Sequence, residues 1–79
     1  MKIYLLEAEH FAVPGRIVKA FDAQSKADAE AAELVNVMLV ESGYTHGTNA
    51  ERWQHHIERL QEEYGAQHCY VEISELDVH

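Results

Sequence analysis

The sequence predicts a small α+β domain: a single-layer three-stranded sheet, in the element order ββααβ, with two helices packed on one face. Three observations carry this reading. Short apolar runs at strand spacing occupy both ends of the chain, two segments between them repeat at helical spacing, and Gly, Pro, Ser and Thr stand at the joints.

Residues 2–9, KIYLLEAE, form a short apolar run that soon meets a turn signal, which favours a strand. Residues 16–23, RIVKAFDA, read as a second strand with Ile17 and Phe21 on one face and Val18 and Ala20 on the other. Pro14-Gly15 between them suits the central pair of a type II turn, because Pro presets φ and Gly accepts positive φ. An antiparallel hairpin is expected.

Ser25 followed by Asp28 resembles a capping box and opens the Ala-rich run ADAEAAELVNVMLVES, which Gly43 ends. At 100° per residue Ala27, Ala31, Val35, Met38 and Leu39 share a buried stripe, and Lys26, Glu30, Glu33, Val37 and Glu41 lie opposite. The β-branched stretch LVNVMLV could form a strand, but no turn signal separates it from the alanines. Thr48 with Glu51 forms a second box. Beyond it Trp53, Ile57, Leu60 and Tyr64 make one stripe, closed by Gly65.

HCYVEISEL then alternates, with Cys69, Val71 and Ile73 facing one way and Tyr70, Glu72 and Ser74 the other, as in a half-buried strand. Strand 1 is apolar on both sides and is expected at the centre, with strand 3 parallel to it across a right-handed crossover. An all-antiparallel sheet with strand 2 central is the alternative.

One domain, 1–79, is expected from the length, and it has a modest core. An apolar fraction of 47% argues against disorder. Six Lys/Arg against fourteen Asp/Glu give a net charge of −8, which opposes direct nucleic-acid binding and favours a basic partner. The imbalance grows along the chain: four basic against seven acidic residues up to 48, then two against seven. A single cysteine and the lack of a leader point to a reducing cytoplasm. Glu7 and Glu9 interrupt the first apolar run, and no segment approaches the roughly 20 residues of a membrane span.

Catalytic, cofactor and metal sites are not expected. His10, His46, His55, His56, His68, Cys69 and His79 are ligand types, but no H-x-x-x-H or C-x-x-C pair occurs. Adjacent His55 and His56 point about 100° apart on a helix and cannot chelate one ion together. A site built from His46, one helix histidine and His68 is the remaining arrangement. Cys69 alternates with Val71 and Ile73 and reads as a small hydrophobe, with His68 on the other face. Fourteen acids supply many accidental carboxylate pairs, and the four glycines sit at turns and helix ends rather than in a phosphate loop.

The sharper pattern is a row of acids. Opposite the Trp53 stripe, Glu51, His55, Glu58 and Glu62 share one face, with Glu58 and Glu62 about 6 Å apart along the axis. Such a row can present a basic channel with charges spaced like phosphates, although outward Glu on a helix ordinarily means a solvated face. Arg59–Glu63 is the one opposite-charge i,i+4 pair expected there. Glu30 and Glu33, with Glu41 and exposed Val37, form a second acidic-apolar patch.

In plan, with MKIYLLEAEH as a short first strand and RIVKAFDAQSKADAEAAELV running into an Ala/Glu-rich helix, the chain resembles the small anti-CRISPR proteins of phages and other mobile elements. Among them it looks like the inhibitors of type I systems, type I-C included. Those families share no common motif, so no residue is carried across as a family site. The resemblance implies a stoichiometric inhibitor in the bacterial cytoplasm, monomeric or weakly dimeric. It would bind a CRISPR effector-complex subunit and keep target DNA from its basic groove. The alternatives are a small regulatory or structural domain that dimerises through its uncovered sheet face and, behind that, a small metal-dependent enzyme.

Overall fold

A computed structural model of the chain describes residues 1–10 and 13–78, apart from the side chains of Val13 and Pro14. Its elements follow the expected order: β1 (Lys2–His10), β2 (Val13–Phe21), α1 (Gln24–Glu41), α2 (Trp53–Tyr64) and β3 (Cys69–Asp77). The sheet is ordered β2-β1-β3, so the doubly apolar strand is central. Both neighbours of β1 are antiparallel to it, with Tyr4 opposite Phe21 and Lys2 opposite Asp77.

The parallel placement of β3 is therefore corrected, and the reason lies in the segment between the helices. Two helices joined by a short turn would return the chain to the end where β1 starts. Here residues 42–52 make a pass of their own. Tyr44 N–H bonds Leu39 at the end of α1, Thr48 meets Asn36 in its middle, and Trp53 Nε1 donates to Asp28 near its start. The chain thus runs back along α1 before α2 begins, and α2 travels the same way as α1. β3 then starts at the far end, with Cys69 opposite His10, and must run antiparallel to β1.

The hairpin differs from expectation in its turn. Pro14 and Gly15 lie inside β2, where register passes from Ala8↔Ile17 to His10↔Val13. Two steps on β1 thus face four on β2, a bulge in which Gly15 takes φ +85° at little cost. The connection at residues 11 and 12 lies outside the described residues.

The capping boxes are also corrected. Ala23 occupies the N-cap of α1 without a side-chain bond, and Ser25 falls inside the helix. Arg52 is the N-cap of α2, and Asn49 prepares that start instead. Its Oδ1 accepts from the N–H groups of Glu51 and Arg52, both at 3.0 Å. The end of α1 follows the sequence: Gly43 at φ +86° lets Gly43 N–H reach Val40 and Tyr44 N–H reach Leu39, the paired bonds of a Schellman motif.

Both helices cover one face of the sheet. Leu6, Ala8, Cys69 and Val71 meet Ala31, Val35, Met38 and Leu39 of α1 and Trp53, Ile57 and Leu60 of α2. Every residue expected in the α1 stripe is buried. Tyr64 of the α2 stripe is not. It ends the helix one turn past Leu60 and stands 40% exposed. His10 is buried to 2% in the same layer, where burial lowers its pKa against the opposing field of Glu41.

Candidate protein-interaction face

The acidic row is built on α2 by helical spacing. Trp53, Ile57 and Leu60 turn into the core, so His55, Glu58 and Glu62 are turned outward, and all three are exposed. Glu51 is exposed too, but α2 begins at Trp53, which places Glu51 in the turn before the helix. Among the described residues no ion pair reaches Glu51, Glu58 or Glu62. The basic residues of the first half are each engaged elsewhere: Lys2 with Glu75, Arg16 with Glu7, Lys19 with Glu30 and Lys26 with Asp22. The expected Arg59–Glu63 pair does not form within salt-bridge distance. Glu63 instead accepts the Tyr44 hydroxyl at 2.7 Å, which raises the pKa of that phenol.

The second patch is not a single unit. Glu30 is half-buried and holds Lys19 Nζ at 3.0 Å, so its charge is spent against β2. Asp28 of the same helix faces Trp53 of α2. Two residues rotate a helix by about 200°, so Glu30 looks away from α2. Glu33 is exposed, while Val37 and Val40 make an apolar strip beside Asn36 and Glu41.

The histidines of the opening loop and α2 come together as a chain of rings. Tyr44 meets His46 at 5.3 Å, His46 meets His56 at 5.2 Å and His56 meets His55 at 5.7 Å between centroids. His56 Nδ1 lies 2.6 Å from Thr48 Oγ1. Its pKa is lowered, first by burial and then by the fields of His46, His55, Arg52 and Arg59. These rings brace the return segment against α2. Among the described residues no three His, Cys, Asp or Glu side chains stand close enough to hold a metal ion; His79 lies outside them. Cys69 is buried, and burial pushes its thiol pKa up, away from the thiolate a nucleophile needs.

Three residues that position this face, Asn36, Tyr44 and Asn49, are not among those the sequence singles out, and Thr48, expected as a helix cap, instead joins Asn36. Asn36 carried a signal, since a lone amide within the apolar run LVNVMLV needs a partner once half-buried. Tyr44 and Asn49 looked like ordinary loop residues. Among the described residues no helix is long and apolar enough to cross a membrane. No protein-family model, curated protein or solved structure matches the chain.

Proposed function

We propose that this chain is a non-catalytic protein inhibitor that covers a basic, DNA-binding surface of its partner. A subunit of a type I CRISPR effector complex is the target that the resemblance of the sequence plan implies. The observation supporting this reading is the unpaired acid on α2 and in the turn before it, where Arg52 and Arg59 are the only Lys or Arg residues and form no ion pair with it among the described residues. Lys2, Arg16, Lys19 and Lys26 each hold a carboxylate of their own chain, yet Glu51, Glu58 and Glu62 face solvent with no ion pair among the described residues. A partner that supplies arginines there would gain charge-assisted hydrogen bonds without first breaking internal ones. The expected setting is the cytoplasm of a bacterial host. The test is a double reversal, Glu58→Arg with Glu62→Arg. Inhibition of target-DNA binding by a purified type I effector should be abolished while circular dichroism stays unchanged. Undiminished inhibition would remove this face from the proposal.

A second reading, a domain that dimerises through its uncovered sheet face, is favoured by Val18 and Leu76. Paired with Glu7 and Ile3 respectively, they share the face away from the helices and are 54% and 48% exposed. Light scattering coupled to size exclusion separates the readings, because a tight, salt-insensitive dimer belongs to the second alone.

A further inference from the structure

β3 is an edge strand, and a groove of about 490 Å³ runs along its free side beneath α2. Four consecutive β3 residues, Val71 to Ser74, line it. Successive residues of a strand point to opposite faces, so a depression touched by four in a row follows the strand's edge rather than either face. The unpaired N–H and C=O groups of that edge are open to a further strand. On the helix side the lining extends from Trp53 to Gln61 of α2, nine residues spanning about 12 Å of helix; the β3 side spans about 10 Å. The two walls therefore match over the length of about four extended residues.

We infer that this groove takes an extended, basic segment of the partner protein, added antiparallel or parallel to β3 as a fourth strand. Trp53, Ile57 and Val71 lie buried at its base with Ile73 partly open beside them, and Gln54, Glu58, Gln61, Glu72 and Ser74 give the groove a mainly polar lining that suits a segment carrying charged side chains. The rim fixes its charge. Glu58 and Glu72 line the groove, neither holds an ion pair among the described residues, and no Lys, Arg or His lines it; the other acids of β3, Glu75 and Asp77, are taken by Lys2 and the N-terminus. A second copy of the chain fits poorly. The basic residues of its other edge strand, Arg16 and Lys19, are engaged with Glu7 and Glu30, and two chains of charge −8 repel. The inference rests on the reading of the chain as a binder of a basic partner, and adds how that partner is gripped: through its backbone, with Glu58 serving both the acidic row and the groove rim.

The test uses the full chain and a capped seven-residue peptide of alternating lysine and valine. Amide exchange followed by NMR should show new protection at alternate residues of β3 between Tyr70 and Leu76, with methyl shifts at Ile57 and Ile73. The same peptide N-methylated at alternate amides, on the side that faces β3, should bind at least ~10-fold more weakly, since it loses several backbone hydrogen bonds. A peptide of alternating glutamate and valine should not bind. Three results overturn the inference: no binding of the lysine peptide, equal binding after N-methylation, or shifts confined to Glu58 and Glu62 without protection in β3. Protection of β3 that rises with protein concentration in the absence of peptide also overturns it, in favour of a second copy. No effector complex enters this experiment, so its outcome is independent of the Glu58/Glu62 reversal: a groove that binds peptide can coexist with failed inhibition, and the reverse.

Discussion

Asn36 and Thr48 are joined as two peptide groups would be. The Asn36 side-chain Oδ1 accepts the Thr48 N–H at 2.7 Å, and its Nδ2 donates to the Thr48 carbonyl at 3.3 Å. This one amide fastens the returning segment to the middle of α1 and thereby sets where α2 begins. Removing it in Asn36→Ala should cost about 1–3 kcal/mol, the range for leaving a half-buried N–H without its acceptor. Gly47 depends on the same contact: a Cβ there would meet Asn36 Oδ1 at 2.8 Å, and Asn36 cannot swing aside without giving up both bonds. Gly47→Ala should destabilise wild-type by about 1–3 kcal/mol and cost clearly less in an Asn36→Ala background. Urea unfolding followed by emission of the buried Trp53 measures all three variants; strict additivity would count against the shared contact.

Stability should fall with pH through the histidine range. His10 and His56 both have lowered pKa values in the folded chain, because burial disfavours their charged forms. The unfolded chain takes up these protons at the ordinary value of about 6.5, so the stabilisation from neutral rings is complete above it and is lost as pH falls. Most carboxylates stay ionised down to about pH 5.5, so unfolding free energies at about pH 8 and about pH 5.5 isolate the histidines. The difference should shrink in His10→Leu, and shrink again when His56→Gln is added. An unchanged difference in both variants would refute the assignment.

Cys69 should report on opening of the whole sheet. It is fully buried opposite His10, and burial raises its pKa, so a thiol reagent must wait for the fold to open. Labelling of the native chain should be orders of magnitude slower than in urea, and should accelerate in Asn36→Ala by the factor that its lost stability predicts. Fast labelling at native stability would show that the β3 end opens locally.

Glu30 should matter little to stability. Its bond to Lys19 joins a half-exposed lysine to a half-buried carboxylate, so Glu30→Gln should change unfolding free energy by no more than about 1 kcal/mol. The same change should leave partner binding intact, since Glu30 looks away from α2. Glu58→Gln, which keeps the size and removes the charge, should weaken binding measurably. Isothermal titration with a purified type I effector complex compares the two.

The element types and the buried faces were legible in the sequence because periodicity is local. Ala27, Ala31, Val35, Met38 and Leu39 announce one helix face, and Cys69, Val71 and Ile73 one sheet face, whatever the rest of the chain does. The doubly apolar β1 announced its own central place. Gly43 and Gly65 also read correctly, since a helix end at positive φ depends on the residue standing there.

Tertiary structure alone decided the rest. Whether β3 runs with or against β1 depends on residues 42–52 spending themselves as a return pass, and that depends on Asn36 meeting Thr48 across twelve positions of sequence. Pro14-Gly15 could serve a turn or a bulge, and the pairing of Ala8 with Ile17 chose the bulge. The acidic row was visible as spacing. That its carboxylates stay free of lysine, and that Glu58 also borders an open strand edge, follows from which charges the folded chain had already paired. Local pattern says which side of an element is buried; only long-range contact says what lies beside it.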